Sequence, residues 1–381
     1  MKVKSKFGPN YKEFEVGKIT ILAKDKPLKL QNGSQIDNFA MAYQTYGTLN
    51  KDKSNAILIC HALTGDQYAA SPHPITKKKG WWHFMIGKNK PIDTNKYFVI
   101  CSNVIGGCMG SLGPKENNPK TNKPYNLDFP IITIDDMVNA QNLLIQHLKI
   151  DKLHAVIGGS LGGMQTLSWA INYPHKCNLI VPIACSYRHS PQNIAFHEVG
   201  RQAIMADPNW QGGNYLEKKQ YPQKGLAVAR MSAHITYLSE LALHNKFGRN
   251  LQDKDNFSFT FDKDFKVESY LHHQGFSFVD RFDANSYLYI TKAADYFDLE
   301  SDNDGNLAKA FIDISQNYDL KFVVISFTDD WLFPPKEMKK LTKSLIACDI
   351  KVSAINIESQ AGHDSFLIEN QALKETISNI L

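Results

Sequence analysis

Short runs of Val, Ile, Leu and Phe recur along the chain as unbroken apolar stretches: AILICHA, YFVICSNV, LHAVIGG, LIVPIACS, KFVVISF and KVSAINI. A strand with one wet face alternates apolar and polar residues. An unbroken run implies burial on both faces, as in a parallel sheet covered by helices. The stretches between fit that arrangement: MVNAQNLLIQHLKI and KEMKKLTKSLIA carry apolar residues at helical spacing. Strand and helix in alternation define an α/β fold with a mostly parallel central sheet flanked by helices.

The alternation stops between about Arg188 and Asp304, where the chain reads as polar and helical. IAFHEVGRQAIMADPNW starts after Pro191 and is expected to stop at Asp207-Pro208, because the residue before a proline is driven out of the helical region. GLAVARMSAHITYLSELALHNKF sets Leu226, Met231, Ile235, Leu238 and Leu241 at steps of three to five, which predicts a helix with one apolar face. Alternation resumes at LKFVVISF. The reading is one discontinuous core, 1–187 and 305–381, with a helical lid inserted at 188–304.

The 43 basic and 38 acidic side chains leave a net charge of +5, a small and dispersed excess that carries no nucleic-acid-binding module. The tightest basic cluster, Lys77-Lys78-Lys79, reads as a solvated loop, with contact to an anionic ligand as the lesser reading. No apolar run approaches the ~18 residues that a membrane span requires. The N-terminal MKVKSKFGPNYKEFEVGK lacks the apolar core of a secretory signal. Cys60, Cys101, Cys108, Cys177, Cys185 and Cys348 form no CxxC pattern, and several sit inside apolar runs. They are expected to be reduced cysteines of a cytoplasmic protein without disulfides or structural zinc. His272 and His273 are adjacent, so their side chains diverge and chelate poorly; no metal is expected.

One stretch concentrates chemistry. In HAVIGGSLGGMQ a strand-like run ends in glycines on both sides of Ser160, and a helix-like stretch, LGGMQTLSWAINYP, follows and ends before Pro174. A strand that turns abruptly into a helix strains the turning residue, and small neighbours two residues either side, Gly158 and Gly162, let the two elements approach. The product is an exposed hydroxyl at a helix N-terminus, where backbone N–H groups face any negative charge forming beside it. The stretch lacks the Gly-Lys-Ser/Thr ending of a nucleotide-binding loop and is not GxGxxG. A rival serine, Ser111 in GGCMGSLGP, has Met109 at minus two and a proline-rich tail behind it. It reads as a loop residue lining the pocket.

A serine hydroxyl needs a base to take its proton and an anion to orient that base. In the α/β-hydrolase arrangement these follow in the order Ser, Asp or Glu, His. KFVVISFTDDWLFPP ends a strand in Asp329-Asp330, and KVSAINIESQAGHDSF ends one in a loop holding His363. Both are carboxyl ends of strands, where doubly wound folds place function. Two adjacent aspartates cannot both face His363; the pattern favours Asp330, leaving Asp329 as a capping or turn residue. An oxyanion site needs two N–H donors. Leu161, directly after Ser160, is one; Leu63, in the AILICHALTGD loop, is expected as the other. His61 precedes Ser160 in the chain and is expected to shape that loop.

Beyond the hydrolase signature, AYQTYGTLN, CHALTGD, IGGCMGSLGP, GGSLGGMQ, QNIAFHEVGRQAI, RFDANSYLYITKAADYFD, FTDDWLFPP and GHDSF together resemble the homoserine O-acyltransferase family of methionine biosynthesis over nearly the whole chain. The resemblance implies an α/β-hydrolase core with a helical lid and a Ser160–His363–Asp330 triad working by a ping-pong scheme. Acetyl-CoA is the co-substrate and L-homoserine the acceptor, with no bound cofactor. It further implies Arg201 facing the substrate carboxylate and Asp364 facing its amine, and a homodimer formed through the lid. Succinyl-using relatives tend to carry Arg within the DWLF element. Leu332 stands there in this chain, which favours acetyl, while Arg188 in SYRHSPQN offers a cation by another route. The competing readings are succinyl transfer, a serine acceptor, a thioester or ester hydrolase with the same triad, and a non-catalytic binding protein on the same fold.

Overall fold

The computed structural model describes residues 4–5 and 14–381, so the N-terminal stretch read above for a signal lies largely outside the described residues. At its centre is an eight-stranded sheet. Its strands are β1 (Lys18–Leu22), β2 (Phe39–Tyr46), β3 (Ala56–Cys60), β4 (Phe98–Ser102), β5 (Ala155–Gly159), β6 (Leu179–Ile183), β7 (Lys321–Phe327) and β8 (Val352–Ile357). They lie in the order β8-β7-β6-β5-β3-β4-β2-β1. From β4 to β8 every pairing is parallel, whereas β2 runs antiparallel to both β4 and β1.

Each apolar run named from sequence is a strand of this sheet, and β3, β5 and β6 are buried along their whole length, whereas the edge strand β8 exposes Ser353, Ala354 and Asn356, against the expectation of burial on both faces. Burial on both faces removes about 25 cal/mol of free energy per Å² of apolar surface taken from water, which is why these strands need no alternation. The antiparallel strands β1 and β2 were not legible in this way. β2, FAMAYQTY, mixes aromatic and polar residues and turns its last three only half inward.

Helix α1 (Ile134–His147) begins in a reciprocal cap between Thr133 and Asp136. It packs beside α2 (Leu161–Asn172), which ends before Tyr173-Pro174 as the sequence predicts. Between β6 and β7 lie α3 (Pro191–Met205), α4 (Gln223–Tyr237), α5 (Glu240–Phe247), α6 (Lys266–Val279) and α7 (Ala284–Asp295). Helices α8 (Pro335–Ala347) and α9 (Gln371–Ile380) complete the chain. All six cysteines are free, and all but Cys348 are buried. Among the described residues no helix is long and apolar enough to cross a membrane.

The single helix expected over GLAVARMSAHITYLSELALHNKF is two. Leu238 is extended, and the Ser239 side chain accepts a hydrogen bond from Ala242 N–H, capping α5. The break is held from outside. Ser239 Oγ donates to Gln360 O at 2.5 Å, Trp331 Nε1 donates to Leu238 O at 2.9 Å, and Gly362 sits so close to Ser239 N that a Cβ there would overlap it. Tertiary contact thus overrides local helical preference. In consequence Ile235 and Leu241, expected on a buried face, are 41% and 39% exposed. Ser239→Ala removes both the cap and the tie to Gln360, and should destabilise the protein by about 1–2 kcal/mol, read from the denaturant midpoint.

Candidate active site

Strand β5 runs directly into α2 through Ser160, whose backbone sits at φ 59°, ψ −124°. A non-glycine residue held there stores strain, of order 1–3 kcal/mol, that its surroundings must over-determine. They do so by close approach. A Cβ on Gly158 would come within 2.9 Å of Cys60 Cβ, one on Gly162 would overlap the Cys60 carbonyl oxygen, and one on Gly159 would enter the Phe366 ring. The Ser160 N–H donates to Ile183 O at 2.9 Å, tying the turn to the end of β6. The glycines are therefore the clearance that lets β3, β5 and α2 meet around a hydroxyl.

The base and its orienting acid come from the ends of β8 and β7. His363 lies in a short 3-10 turn, Gly362–Phe366, and is 3% exposed. Its Nδ1–H donates to Asp330 Oδ2 at 2.8 Å, which leaves Nε2 as the acceptor nitrogen. Asp330 is buried, and its other oxygen accepts the Leu332 and Phe333 N–H groups at 3.0 and 2.9 Å. Asp330, not the half-buried Asp329, is thus the histidine's partner. The His363 ring stands 5.5 Å from that of Phe366, the residue pressed against Gly159, and so beside the serine turn.

The expected oxyanion donors are also free. Leu161 opens α2, so its N–H has no partner in the helix's own ladder. Neither Leu161 N–H nor Leu63 N–H is taken by another described residue. Leu63 lies in the turn closed by Gly65 N–H to Ala62 O, just past the Cys60 carbonyl that Gly162 touches. His61 shapes this loop: its Nδ1–H donates to Ala62 O at 2.8 Å, and its Nε2 accepts from Val104 N–H at 3.2 Å. Burial lowers its pKa, consistent with a neutral ring. Ser111 departs from its expected place. It is fully buried, donating to Asn103 O at 2.6 Å and accepting from Ala42 N–H at 3.0 Å, and so does not line the pocket.

Beside this centre lies a cavity of about 300 Å³, lined in part by Ala62, Thr64, Arg230, Arg281 and Leu367. Arg230, on α4, donates to Thr64 Oγ1 at 3.1 Å and lies over the rings of Phe278 and Tyr237, at 4.7 and 5.4 Å. The Tyr237 ring is in turn 6.0 Å from that of His363. Asp364, next to His363, is partly buried, and its carboxylate has no hydrogen-bond or ion-pair partner among the described residues. Burial raises its carboxyl above the usual carboxylate range, against the lowering effect of the charges of His363 and Arg230. Arg230 and Asp364 therefore feel each other's field without closing an ion pair.

Arg201 is placed differently from expectation. Its NH1 reaches Asp295 Oδ2 at 2.6 Å, and its Nε and NH2 reach Glu198 Oε2 at 3.0 and 2.9 Å. The guanidinium is already neutralised, and Arg230 is the arginine that the fold brings beside Asp364. The sequence held one signal for it: Arg230 falls one turn after Leu226, a cation within an apolar stripe. His189 and His197 complete the Arg201 cluster, their Nδ1 atoms 3.1 and 2.7 Å from Asp295 Oδ1. Burial would raise the Asp295 carboxyl, but hydrogen bonds from both histidines and Arg201 hold it well below the usual range. These three side chains are close enough to hold a metal ion, but the carboxylate's oxygens are occupied by N–H donors and a guanidinium, the chemistry of a hydrogen-bond cluster.

Leu332 lines a separate cavity with Ser186, Arg188, Trp331 and Phe333. Arg188 there is paired with Glu300 at 3.0 Å, and Lys336 lines the same cavity.

The sheet order, the strained serine at the β5–α2 turn and the acid–base pair on the last two strands define a protein of the α/β-hydrolase fold. The family model described as alpha/beta hydrolase fold matches residues 55–369. The chain is 58% identical over 357 residues to a homoserine O-acetyltransferase of Mesorhizobium japonicum, covering 94% of this chain and 91% of the relative. Among solved structures it is similar to the homoserine O-acetyltransferase of Bacillus anthracis, with a TM-score of 0.85, 28% identity and coverage of 95% and 96% of the two chains. An esterase structure is similar at a TM-score of 0.84, with 28% identity and coverage of 95% and 98%. The chain belongs to the homoserine O-acetyltransferase family.

Gly162→Ala should destabilise the fold by about 1–3 kcal/mol or more, because the obstacle is the Cys60 backbone rather than a movable side chain; the denaturation midpoint measures it.

Proposed function

We propose that this chain transfers an acetyl group from acetyl-CoA to the side-chain hydroxyl of L-homoserine, giving O-acetyl-L-homoserine and CoA for methionine biosynthesis. The observation that carries this reading is the unpaired cation and unpaired anion, Arg230 and Asp364, flanking the Asp330–His363 pair. An amino acid is a zwitterion, and a site that binds one needs fixed charges of both signs. A guanidinium can give a carboxylate two parallel hydrogen bonds, and a carboxylate can hold an ammonium.

In this scheme His363 Nε2 takes the Ser160 hydroxyl proton as Oγ attacks the thioester carbonyl. The negative oxygen that forms is held by the N–H groups of Leu63 and Leu161. As the C–S bond breaks, the proton passes from His363 to the departing thiolate, and CoA leaves an acetyl ester on Ser160. The homoserine hydroxyl then gives its proton to His363 and attacks this ester. Return of the proton to Ser160 Oγ releases the product. Asp330 keeps His363 in the tautomer with Nε2 free and stabilises the imidazolium. Helices α3 to α7 serve as the lid, and water exclusion is what separates transfer from hydrolysis. The acetyl reading rests on Leu332 in the DWLF element, an apolar side chain that offers nothing to a second carboxylate. The proposal includes a homodimer formed through the lid.

The second reading is an ester hydrolase with the same triad, favoured by the likeness to the esterase structure. Thiol release from acetyl-CoA, followed with and without homoserine and with product mass, decides between them. Transfer predicts homoserine-dependent release and an acetylated amino acid; equal release without homoserine means hydrolysis. Ser160→Ala should lower turnover by at least about a thousandfold.

Arg230→Lys should raise KM for homoserine by at least about tenfold. Asp364 must be ionised to hold an ammonium, and its carboxyl is raised. Affinity for homoserine is therefore lost as pH falls, starting above the ordinary carboxylate value of about 4. KM for homoserine against pH measures this, and Asp364→Asn should flatten the profile at a high KM.

A further inference from the structure

The lysine cluster at 77–79 has no part in the mechanism above, yet two of its members line the cavity beside the candidate site. Lys78 and Lys79 share the walls of the 300 Å³ cavity with Arg230, Arg281 and Thr64. Their loop is built rather than loose. His73 N–H donates to Lys78 O and Lys77 N–H to His73 O, both at 2.9 Å, and Lys77 adopts φ 59°. Just beyond, Trp82 N–H donates to Ala69 O at 2.7 Å and Trp81 Nε1 to Asp66 O at 2.9 Å, while Gly80 is pressed against the Ala69 backbone. The ammonium groups of Lys78 and Lys79 are exposed and have no ion-pair partner among the described residues.

The charge lining this cavity is one-sided. Lys78, Lys79, Arg230 and Arg281 stand against one carboxylate, Asp66, which lies 3.1 Å from His73 Nε2. The cations also fall into an inner and an outer pair. Arg230 and Arg281 are anchored on Thr64, at its side chain and its carbonyl, next to the turn that holds Leu63. Lys78 and Lys79 are at the exposed edge. A single amino-acid carboxylate uses one inner cation. A CoA thioester has its reactive carbonyl at one end and a diphosphate and a ribose phosphate at the other, so its phosphate end fits the exposed lysine pair.

We propose that Lys78 and Lys79 are the phosphate-binding rim of this cavity, receiving the nucleotide phosphates of the CoA thioester while its acyl end reaches Ser160. The opposite wall, from α6, supplies Gln274, Ser277 and Phe278 along the path. This rests on the reading of the donor as a CoA thioester. It makes the rim a positioning element that acts on donor affinity and leaves the acyl-transfer step alone.

The test compares the double variant Lys78→Ala/Lys79→Ala with wild type on acetyl-CoA and on acetyl-pantetheine, which carries the same thioester without phosphates. KM for acetyl-CoA should rise about tenfold or more, as expected for losing charge-assisted contacts. kcat, KM for homoserine and all constants with acetyl-pantetheine should be unchanged. Lys77→Ala, outside the cavity lining, should leave acetyl-CoA kinetics as they are. The wild-type preference for acetyl-CoA over acetyl-pantetheine should shrink as salt is raised. An unchanged KM for acetyl-CoA in the double variant overturns the proposal, as does an equal rise with acetyl-pantetheine, which would mark a packing defect. Calorimetric binding of CoA separates the two levels without catalysis. Wild type and double variant binding CoA equally overturns the rim alone; wild type failing to bind CoA overturns the donor reading along with it.

Discussion

The contact on which the active site depends is between backbones. At the end of β3 the Cys60 carbonyl meets Gly162 in the first turn of α2, and Gly158 on β5 meets the same turn from below. Only chain without side chains can come this close. That closeness forces the left-handed turn at Ser160, presents the Leu161 N–H, and sets the Ala62–Gly65 turn with Leu63 alongside. Ser160 and the N–H groups of Leu161 and Leu63 are therefore placed by one packing constraint. They would be expected to fail together if the clearance were lost.

Electrostatics then separates groups that look alike in sequence. Two arginines of the helical layer have opposite fates. Arg201 is buried against Asp295 and Glu198, where its charge is spent on holding helices together. Arg230 is left with a hydroxyl and two aromatic faces. Cation–aromatic contact stabilises a guanidinium without neutralising it, so Arg230 keeps its capacity for an anion. The same distinction holds between the aspartates: Asp330 is saturated by two amides and an imidazole, Asp364 has no fixed partner.

The core was legible because its signals are local. Unbroken apolar runs gave the parallel strands, and glycine spacing gave the turn at Ser160. The chain order singled out Asp330 and His363, which the fold pairs, after the serine of the strained turn. What was not legible depends on partners far away in the chain. The pairing of Arg201 with Asp295 crosses from α3 to α7, and nothing near Arg201 announces it. The division between α4 and α5 had a local cue in Ser239-Glu240, but its cause is the contact with Gln360 and Gly362. β1 and β2 owe their existence to antiparallel pairing at the sheet edge, which a polar-aromatic sequence does not advertise. The pattern already favoured Asp330 over Asp329, and the hydrogen bond to His363 agrees with it. The basic rim needed a cavity before three consecutive lysines meant more than a wet loop.

The interruption between α4 and α5 has a mechanical consequence. Its residues are fastened to the segment carrying His363, through Gln360, Gly362 and Trp331. The helical cover is thus tied directly to the segment that carries His363. On the proposed mechanism, a displacement of the cover that admitted water to an acetylated Ser160 would also pull on the segment that seats His363. Preference for an alcohol over water would then draw on this tie as well as on the shape of the cleft.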